Sequence, residues 1–423
     1  MILHIPYGRG TVTVNTGAVA ADWQIFWHTG ENPLADSRQA FLAMCRNPIG
    51  EKPLRELVRP EDHVIIVTSD GTRPVPNRRL IPWLLEELPC QPEHVSILLG
   101  NGSHRPNTRA EIAEMFGAEV ARSVAIHNHS ASNPAVCEEV GRVAGGPVLI
   151  NRRYLEADFR ILVGFIEPHF FAGYSGGAKG IVPGIAGMET ILHVHRYELI
   201  GHPASTWRSM AQNPVQQEIR RMVALCPPEF LINVTLNPAR QITGIFAGHY
   251  LLAQEEGIRR LEKNASAAVH RRFPVVLTSN SGYPLDQNLY QTVKGISAAA
   301  QIAEPGGTIF IVSECADGIP DHGKFAELMA IGNSPEEVLA AIRALESPAV
   351  DQWEAQLLAR LEMAYRIKLY SSLPEEQVRR CKLEPVANLE EELRRTLQAY
   401  GPHPPVAALP DGPQFIPRVH AEP

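Results

Sequence analysis

The chain has 423 residues, of which 44% are hydrophobic, 7% aromatic and 20% charged, and its formal net charge is −7. That length is ample for two domains with separate cores, and the composition is that of a globular enzyme rather than a disordered or fibrous chain. The mild negative charge, without a long basic run, argues against a general nucleic-acid binder, although one or two focused cations would still suit a small anionic substrate. The six cysteines are scattered and none forms a Cys-x-x-Cys pair. This suits a reducing cytosol and speaks against a zinc knuckle or a disulfide framework. The first ten residues lack a signal-peptide core and no segment has the length of a membrane span, so the chain reads as cytoplasmic.

In chain order, short apolar runs recur, each ending in a glycine- or proline-marked loop followed by a helical pattern. Val64-Ile65-Ile66-Val67 leads into Ser69-Asp70-Gly71-Thr72-Arg73-Pro74, and a helical pattern covers 80–88. The run at 95–99 leads into Gly100-Asn101-Gly102-Ser103-His104-Arg105-Pro106. Thr108 and Glu111 then form a capping-box signature, with Gly117 as the helix stop. The run at 159–166 opens onto the most informative stretch, Glu167-Pro168-His169-Phe170-Phe171-Ala172-Gly173-Tyr174-Ser175-Gly176-Gly177-Ala178-Lys179-Gly180. Further runs lie at 275–277 and 309–312, a helix carrying Tyr290, Gln291 and Lys294 is expected over 286–300, and Trp353, Leu357, Leu361 and Tyr365 mark a later amphipathic helix. Strands alternating with helices predict an α/β protein of two domains with mostly parallel sheets. The boundary is expected near the 259–272 stretch, dividing the chain into 1–268 and 269–423, and the proline-rich tail from Pro402 reads as an irregular wrap or a partly ordered end.

Asp70, Arg73, His104 and His169 each lie just beyond an apolar strand. In open α/β sheets ligands bind past the strands' carboxyl ends, so these loops are expected to converge. The glycines around Lys179 can form an anion-holding nest, and the lysine is either a phosphate counter-charge or an amine able to bond a cofactor or substrate. The spacing fits neither a Walker A loop nor a dinucleotide fingerprint. Against these readings stands a plain glycine-rich surface loop with a solvated lysine. Two loop histidines, His104 and His169, suit proton exchange on both faces of one carbon, as in a racemase or epimerase, and a metal pair would look similar. His193 and His195 are two apart on a helix starting near Met188, so at most one faces a site. No adjacent carboxylate completes a zinc triad. Arg73 suits carboxylate or oxyanion recognition, while Asp70 suits either a ligand hydroxyl or local turn formation.

Taken together, these residues resemble the nickel-pincer-nucleotide lactate racemase family. The resemblance rests on six segments in order: Asp70-x-Thr72-Arg73-Pro74; Gly102-Ser103-His104-Arg105; the long 167–187 block with Lys179 and Pro183-Gly184-Ile185-Ala186-Gly187; His195, sixteen residues after Lys179; Tyr290-Gln291-x-x-Lys294; and Gln352-Trp353. It implies a cofactor-binding and catalytic first domain and a substrate-side second domain, with the active site in the cleft between them. It implies a nickel-pincer nucleotide joined to Lys179 through a thioamide, with His195 as the protein's nickel ligand. Gly176 and Gly177 would lie beside that group, and Asp70 and Thr72 with the neighbouring loop backbone would hold its ribose or phosphate. His104 and His169 would act as the acid–base pair of a proton-coupled hydride transfer through a 2-oxo acid. Arg73 would stabilise the oxyanion, worth about 3 kcal/mol by analogy with a single oxyanion donor. Tyr290, Gln291, Lys294 and Trp353 would bind the substrate.

The implied activity is racemisation or epimerisation of a small 2-hydroxy acid, with lactate as the default and with cofactor-making enzymes as partners. Alternatives are a larger acid such as malate, phenyllactate or a sugar acid, a non-catalytic cofactor carrier, and a zinc hydrolase. Retention of both loop histidines counts against the carrier.

Overall fold

A computed structural model of the protein describes residues 1–27, 30–264, 268–321 and 323–419. The chain forms two compact units, one of Gly30–His195 with Pro203–Asn264, the other of Met1–Thr29, Arg196–His202 and Ala265–Pro423. The fold is α/β with mostly parallel sheets.

The unit built on Gly30–His195 has a six-stranded sheet in the order Ile242–Gly248, Phe230–Leu236, Phe159–Phe165, Val64–Ser69, Val95–Gly100, Ala125–Asn128. All neighbours are parallel except the edge strand Ile242–Gly248, which runs antiparallel to Phe230–Leu236. Val64, Ile65, Ile66 and Val67 are all buried, as a parallel strand covered on both faces requires. Helices including Ser37–Arg46 and Asn77–Glu87 pack Phe41, Leu80, Ile81 and Leu84 into the same core as Val64, Ile66 and Ile161. From Val64–Ser69 the strands progress toward one edge, and the chain then returns to lay Phe159–Phe165 on the other side of Val64–Ser69. That reversal is a topological switch point, where adjacent strand-end loops part and leave a crevice. It lies between the strand leading to Asp70 and the strand leading to His169.

The capping box is present: the Thr108 hydroxyl accepts from the Glu111 N–H at 3.3 Å, and the Glu111 carboxylate accepts from the Thr108 N–H at 2.7 Å. It fixes where the loop carrying His104 ends and the Arg109–Phe116 helix begins. Gly117 ends that helix at φ +83°, a conformation that favours glycine.

The other unit has a six-stranded, wholly parallel sheet in the order Glu384–Pro385, Arg366–Tyr370, Ala303–Val312, Phe273–Ser279, Pro405–Leu409, Asp22–Ile25. Helices Leu289–Ala300, Phe325–Met329, Pro335–Arg343 and Gln352–Ala364 cover one face. On the other face the Ile2–Tyr7/Gly10–Asn15 hairpin and the Leu389–Leu397 helix pack Leu3, Ile5, Val14 and Leu393 against Val275, Leu277 and Phe310.

The tail departs from the sequence expectation. Pro405–Leu409 is a buried strand inside this sheet and not an irregular wrap, because Val406, Ala407, Ala408 and Leu409 supply enough apolar surface on both faces. The expected linear division at 268/269 contrasts with units that are discontinuous in sequence. Asp22–Ile25 joins the later segments by pairing in parallel with Pro405–Leu409. Tyr197 and Gly201 join them through their carbonyls, which accept from Gln356 and Arg360. The expected 259–272 boundary stretch includes 265–267, which lie outside the described residues. Among the described residues no helix is long and apolar enough to cross a membrane.

Thr108→Ala removes one half of the capping box and is expected to cost about 1 kcal/mol, read as a lower urea midpoint with an unchanged slope.

Candidate functional site

Three adjacent strands of the first unit deliver the predicted loops. After Val64–Ser69, Asp70 is buried and its Oδ1 accepts from the Thr72 hydroxyl at 2.6 Å and the Thr72 N–H at 3.2 Å, an Asx turn. Its Oδ2 lies 2.8 Å from Nδ1 of His104, which follows the neighbouring strand Val95–Gly100. Burial alone would raise the Asp70 carboxyl. The His104 ring, the Thr72 hydroxyl and the Arg73 charge outweigh burial and hold the carboxyl below its ordinary range. Asp70 is therefore the carboxylate and accepts, so Nδ1 of His104 carries hydrogen and Nε2 presents the lone pair.

His169 follows Phe159–Phe165 on a two-residue strand paired with Gly173–Tyr174. The ring is buried, stacked on Phe170 with centroids 5.0 Å apart and edge-on to Phe171 at 4.6 Å. The Ala172 N–H donates to its Nδ1 at 3.3 Å. That nitrogen is then unprotonated, and the hydrogen of the neutral ring is on Nε2. His104 with Nδ1–H thus leaves Nε2 able to accept, and His169 leaves Nε2–H able to donate a hydrogen bond.

Lys179 and His195 meet around the same Phe171 ring. The Lys179 ammonium lies 5.7 Å from the ring centroid and the His195 ring stands edge-on at 5.4 Å. His195 caps the Met188–Val194 helix, buried, with Nδ1 2.7 Å from the Ile191 carbonyl. Burial, with the Lys179 charge adding to it against that hydrogen bond, pushes the ring down to about 4. A neutral imidazole whose Nδ1–H is held by a carbonyl presents Nε2 as a ligand nitrogen. His193 faces elsewhere, with Nε2 2.9 Å from the buried Glu218 carboxylate. This agrees with the expectation that at most one of the two serves a site.

The 167–187 loop is held by side chains that sequence reading missed. Gln216 donates to the carbonyls of Ala172 at 2.6 Å and Tyr174 at 3.0 Å, and Asn213 donates to Phe171 O at 2.9 Å while capping the Pro214–Val223 helix. Gln254 donates to the carbonyls of Ser175 and Gly176. The fully buried His129 bridges Ala186 O and Asn151 at 2.9 and 3.0 Å. Asn213-Pro214 is a readable helix-start signal, but nothing in the sequence says that the amide also reaches back 42 residues.

Gly176 and Gly177 have φ of +77° and +56°. A Cβ on Gly176 would meet Asn233 Nδ2 at 2.8 Å, and one on Gly177 would collide with Gln254 Oε1. The Asn233 amide is fully buried, and neither its oxygen nor its nitrogen has a hydrogen-bond partner among the described residues. A positive-φ glycine pair, an amine and an unsatisfied buried amide form a cradle able to take a polar, anionic group beside Lys179.

In the other unit, Tyr290, Gln291, Lys294 and Trp353 are also brought together. The Trp353 indole donates to the Tyr290 hydroxyl at 3.0 Å, Tyr290 is hydrogen-bonded to Asp351, and the Lys294 ammonium donates to Gln291 Oε1. No group of three His, Cys, Asp or Glu side chains able to hold a metal occurs among the described residues.

Two family models match the chain, the lactate racemase N-terminal domain over residues 7–208 and the lactate racemase C-terminal domain over residues 269–416. The lactate racemase of Thermoanaerobacterium thermosaccharolyticum is 35% identical over 98% of this chain and 99% of its own. That of Lactiplantibacillus plantarum is 33% identical over 97% of this chain and 98% of its own. The solved structure of the T. thermosaccharolyticum apoprotein superposes with a TM-score of 0.90 at 31% identity, covering 99% of this chain and all of that one. A Thermotoga maritima protein at 18% identity and TM-score 0.68, covering 92% of this chain and 100% of that one, shares the fold.

Two outcomes follow from this geometry. Gln216→Leu strips the donors from two buried carbonyls and is expected to cost about 2–3 kcal/mol, measured by urea unfolding. Because folding lowers the Asp70 carboxyl, its contribution to stability is complete above its unfolded value of about 4 and is lost as pH falls below that. Asp70→Asn should therefore flatten the stability–pH curve below about pH 4 and lower the plateau above it, checked by unfolding across the acid range.

Proposed function

The chain belongs to the lactate racemase family and is an isomerase, and on that premise we propose that it interconverts the enantiomers of a small 2-hydroxy acid, lactate by default. The observation that carries the reading is the pair of strand-end imidazoles, His104 and His169, whose Nδ1 atoms are held by different partners, the Asp70 carboxylate for one and the Ala172 N–H for the other. The Lys179–His195 pair and its glycine cradle lie in the same unit.

The cofactor proposed is the nickel-pincer nucleotide that the family resemblance implies, and the residues present fit it. Lys179 Nζ would hold it covalently and His195 Nε2 would be the protein's ligand to the nickel. Gly176 and Gly177 would let the backbone come close, with the unsatisfied Asn233 amide near at hand. Bound there, the cofactor would supply a hydride acceptor for the substrate α-carbon.

The chain's own residues do the rest. His104 Nε2 takes the hydroxyl proton, with Asp70 holding the ring by Nδ1–H and stabilising the imidazolium as it forms. Sequence reading assigned Asp70 and Thr72 to the cofactor's ribose or phosphate. With both Asp70 oxygens taken by Thr72 and His104, the role proposed here is orientation of the base. On the other side His169 Nε2–H donates a hydrogen bond to the substrate oxygen, His104 returns the proton it took, and Arg73 steadies the developing oxyanion. Lys294 and Gln291 hold the substrate carboxylate. Tyr290, bonded to Trp353 and Asp351, braces that set.

The six cysteines are all buried and none is in a disulfide, which fits a reducing cytoplasm. Cofactor-making enzymes are the partners this chemistry requires. A larger 2-hydroxy acid, such as malate, phenyllactate or a sugar acid, is the second reading for the substrate.

A chiral assay on protein co-produced with those enzymes, using D- and L-lactate, malate and phenyllactate, tests the proposal. One pair is expected to interconvert, and Lys179→Ala should abolish it. No interconversion in protein carrying stoichiometric nickel and the Lys179 mass adduct would overturn all three substrates and favour a sugar acid or a carrier.

A further inference from the structure

The substrate-side unit contains an acid that the mechanism above does not use. Glu354, in the first turn of the Gln352–Ala364 helix, is fully buried, and neither carboxyl oxygen has a hydrogen-bond partner among the described residues. Its neighbour Trp353 donates to Tyr290 on the facing Leu289–Ala300 helix, and from that helix Lys294 supplies the cation that acts on Glu354. The buried Asp351, which precedes the helix and is hydrogen-bonded to Tyr290, supplies a like charge. The other helices packed against this one, Tyr197–Ile200, Phe325–Met329 and Pro335–Arg343, offer Tyr197, whose hydroxyl accepts from Arg343, the exposed Glu198, Glu336 and Glu337, and a solvent-facing Lys324–Glu327 pair. None of these acts on Glu354.

An ionised carboxylate buried without a hydrogen bond is strongly disfavoured, and a like charge nearby disfavours it further. Burial pushes the Glu354 carboxyl up to about 8, against the pull of Lys294, so the group is poised to titrate near physiological pH. Lys294 is also the cation assigned above to the substrate carboxylate. Glu354 and the arriving anion therefore compete for one ammonium.

We propose that Glu354 is a positioning residue for the substrate carboxylate, taking up one proton from solvent as the 2-hydroxy acid anion binds beside Lys294 and releasing it as the anion leaves. The proposal rests on the functional reading above. It makes substrate binding a proton-linked event, with the neutral acid no longer competing with the substrate anion for Lys294.

The test is the pH dependence of KM and kcat, from about pH 6.5 to 9.5, for the cofactor-loaded enzyme and its Glu354→Gln variant. In the unmodified enzyme KM should rise toward tenfold per pH unit above about 8. In Glu354→Gln, which is neutral at every pH and nearly isosteric, KM should stay flat, about tenfold below the unmodified enzyme at pH 9, with the difference confined to KM. Calorimetry of lactate binding at pH 8.5 in two buffers of different ionisation enthalpy should show proton uptake that the variant lacks. An active unmodified enzyme whose KM profile runs parallel to that of Glu354→Gln, or equal proton uptake by both, would overturn this inference alone. An unmodified enzyme with full cofactor loading and no turnover of any 2-hydroxy acid tried would remove the functional reading and this inference with it.

Discussion

An irregular loop can be buried only if its backbone carbonyls find donors, and the 167–187 loop finds them in amide side chains. Asn213, Gln216 and Gln254 reach its carbonyls from two helices. Ser175 closes the turn internally through Phe165 O and the Glu167 N–H. The aromatic packing of His169, Phe171, Lys179 and His195 depends on this framework, since the ring contacts alone would not hold a loop rich in glycine against its entropy. Rigid helices thus impose order on a segment whose own sequence favours none.

Electrostatics then separates chemically identical side chains. Among the histidines of the first unit, His104 is turned by a carboxylate, His169 by a backbone N–H, His195 by a backbone carbonyl and His193 by Glu218. Each partner fixes which nitrogen is left to act, so residue type sets what is available and the second hydrogen bond sets how it is used. His195 beside an ammonium and out of water is kept neutral, as a ligand nitrogen needs to be.

Much of this was legible in the sequence. The apolar runs at Val64, Val95 and Phe159 gave the parallel strands, and the loops after them could be placed at the carboxyl ends because periodicity and punctuation are local signals. The capping box at Thr108 and the helix start near Met188 were readable for the same reason. What escaped was non-local. The Asp70–His104 bond spans 34 residues and depends on which strands are neighbours. The tail strand Pro405–Leu409 was hidden by prolines on either side and by its distance from Phe273–Ser279, its partner. Glu354 lies off the Trp353, Leu357, Leu361 and Tyr365 stripe by which the sequence marks that helix. It is buried because that helix is covered on more than the apolar stripe its sequence displays.

The second sheet places Asp22–Ile25 at its edge, paired with Pro405–Leu409. A chain made from its amino end therefore carries its first segment unpaired while the whole Gly30–Asn264 region emerges and can close its own sheet. At ordinary synthesis rates the wait is some tens of seconds. An exposed strand seeking a parallel partner for that long is a hazard for wrong pairing. The Ile2–Tyr7/Gly10–Asn15 hairpin gives the neighbouring segment a local, antiparallel structure that needs no later residues for its backbone hydrogen bonds. The order of synthesis is thus built into the topology: the unit with Lys179 and the strand-end histidines can be finished first, and the other unit's sheet is sealed only by Pro405–Leu409.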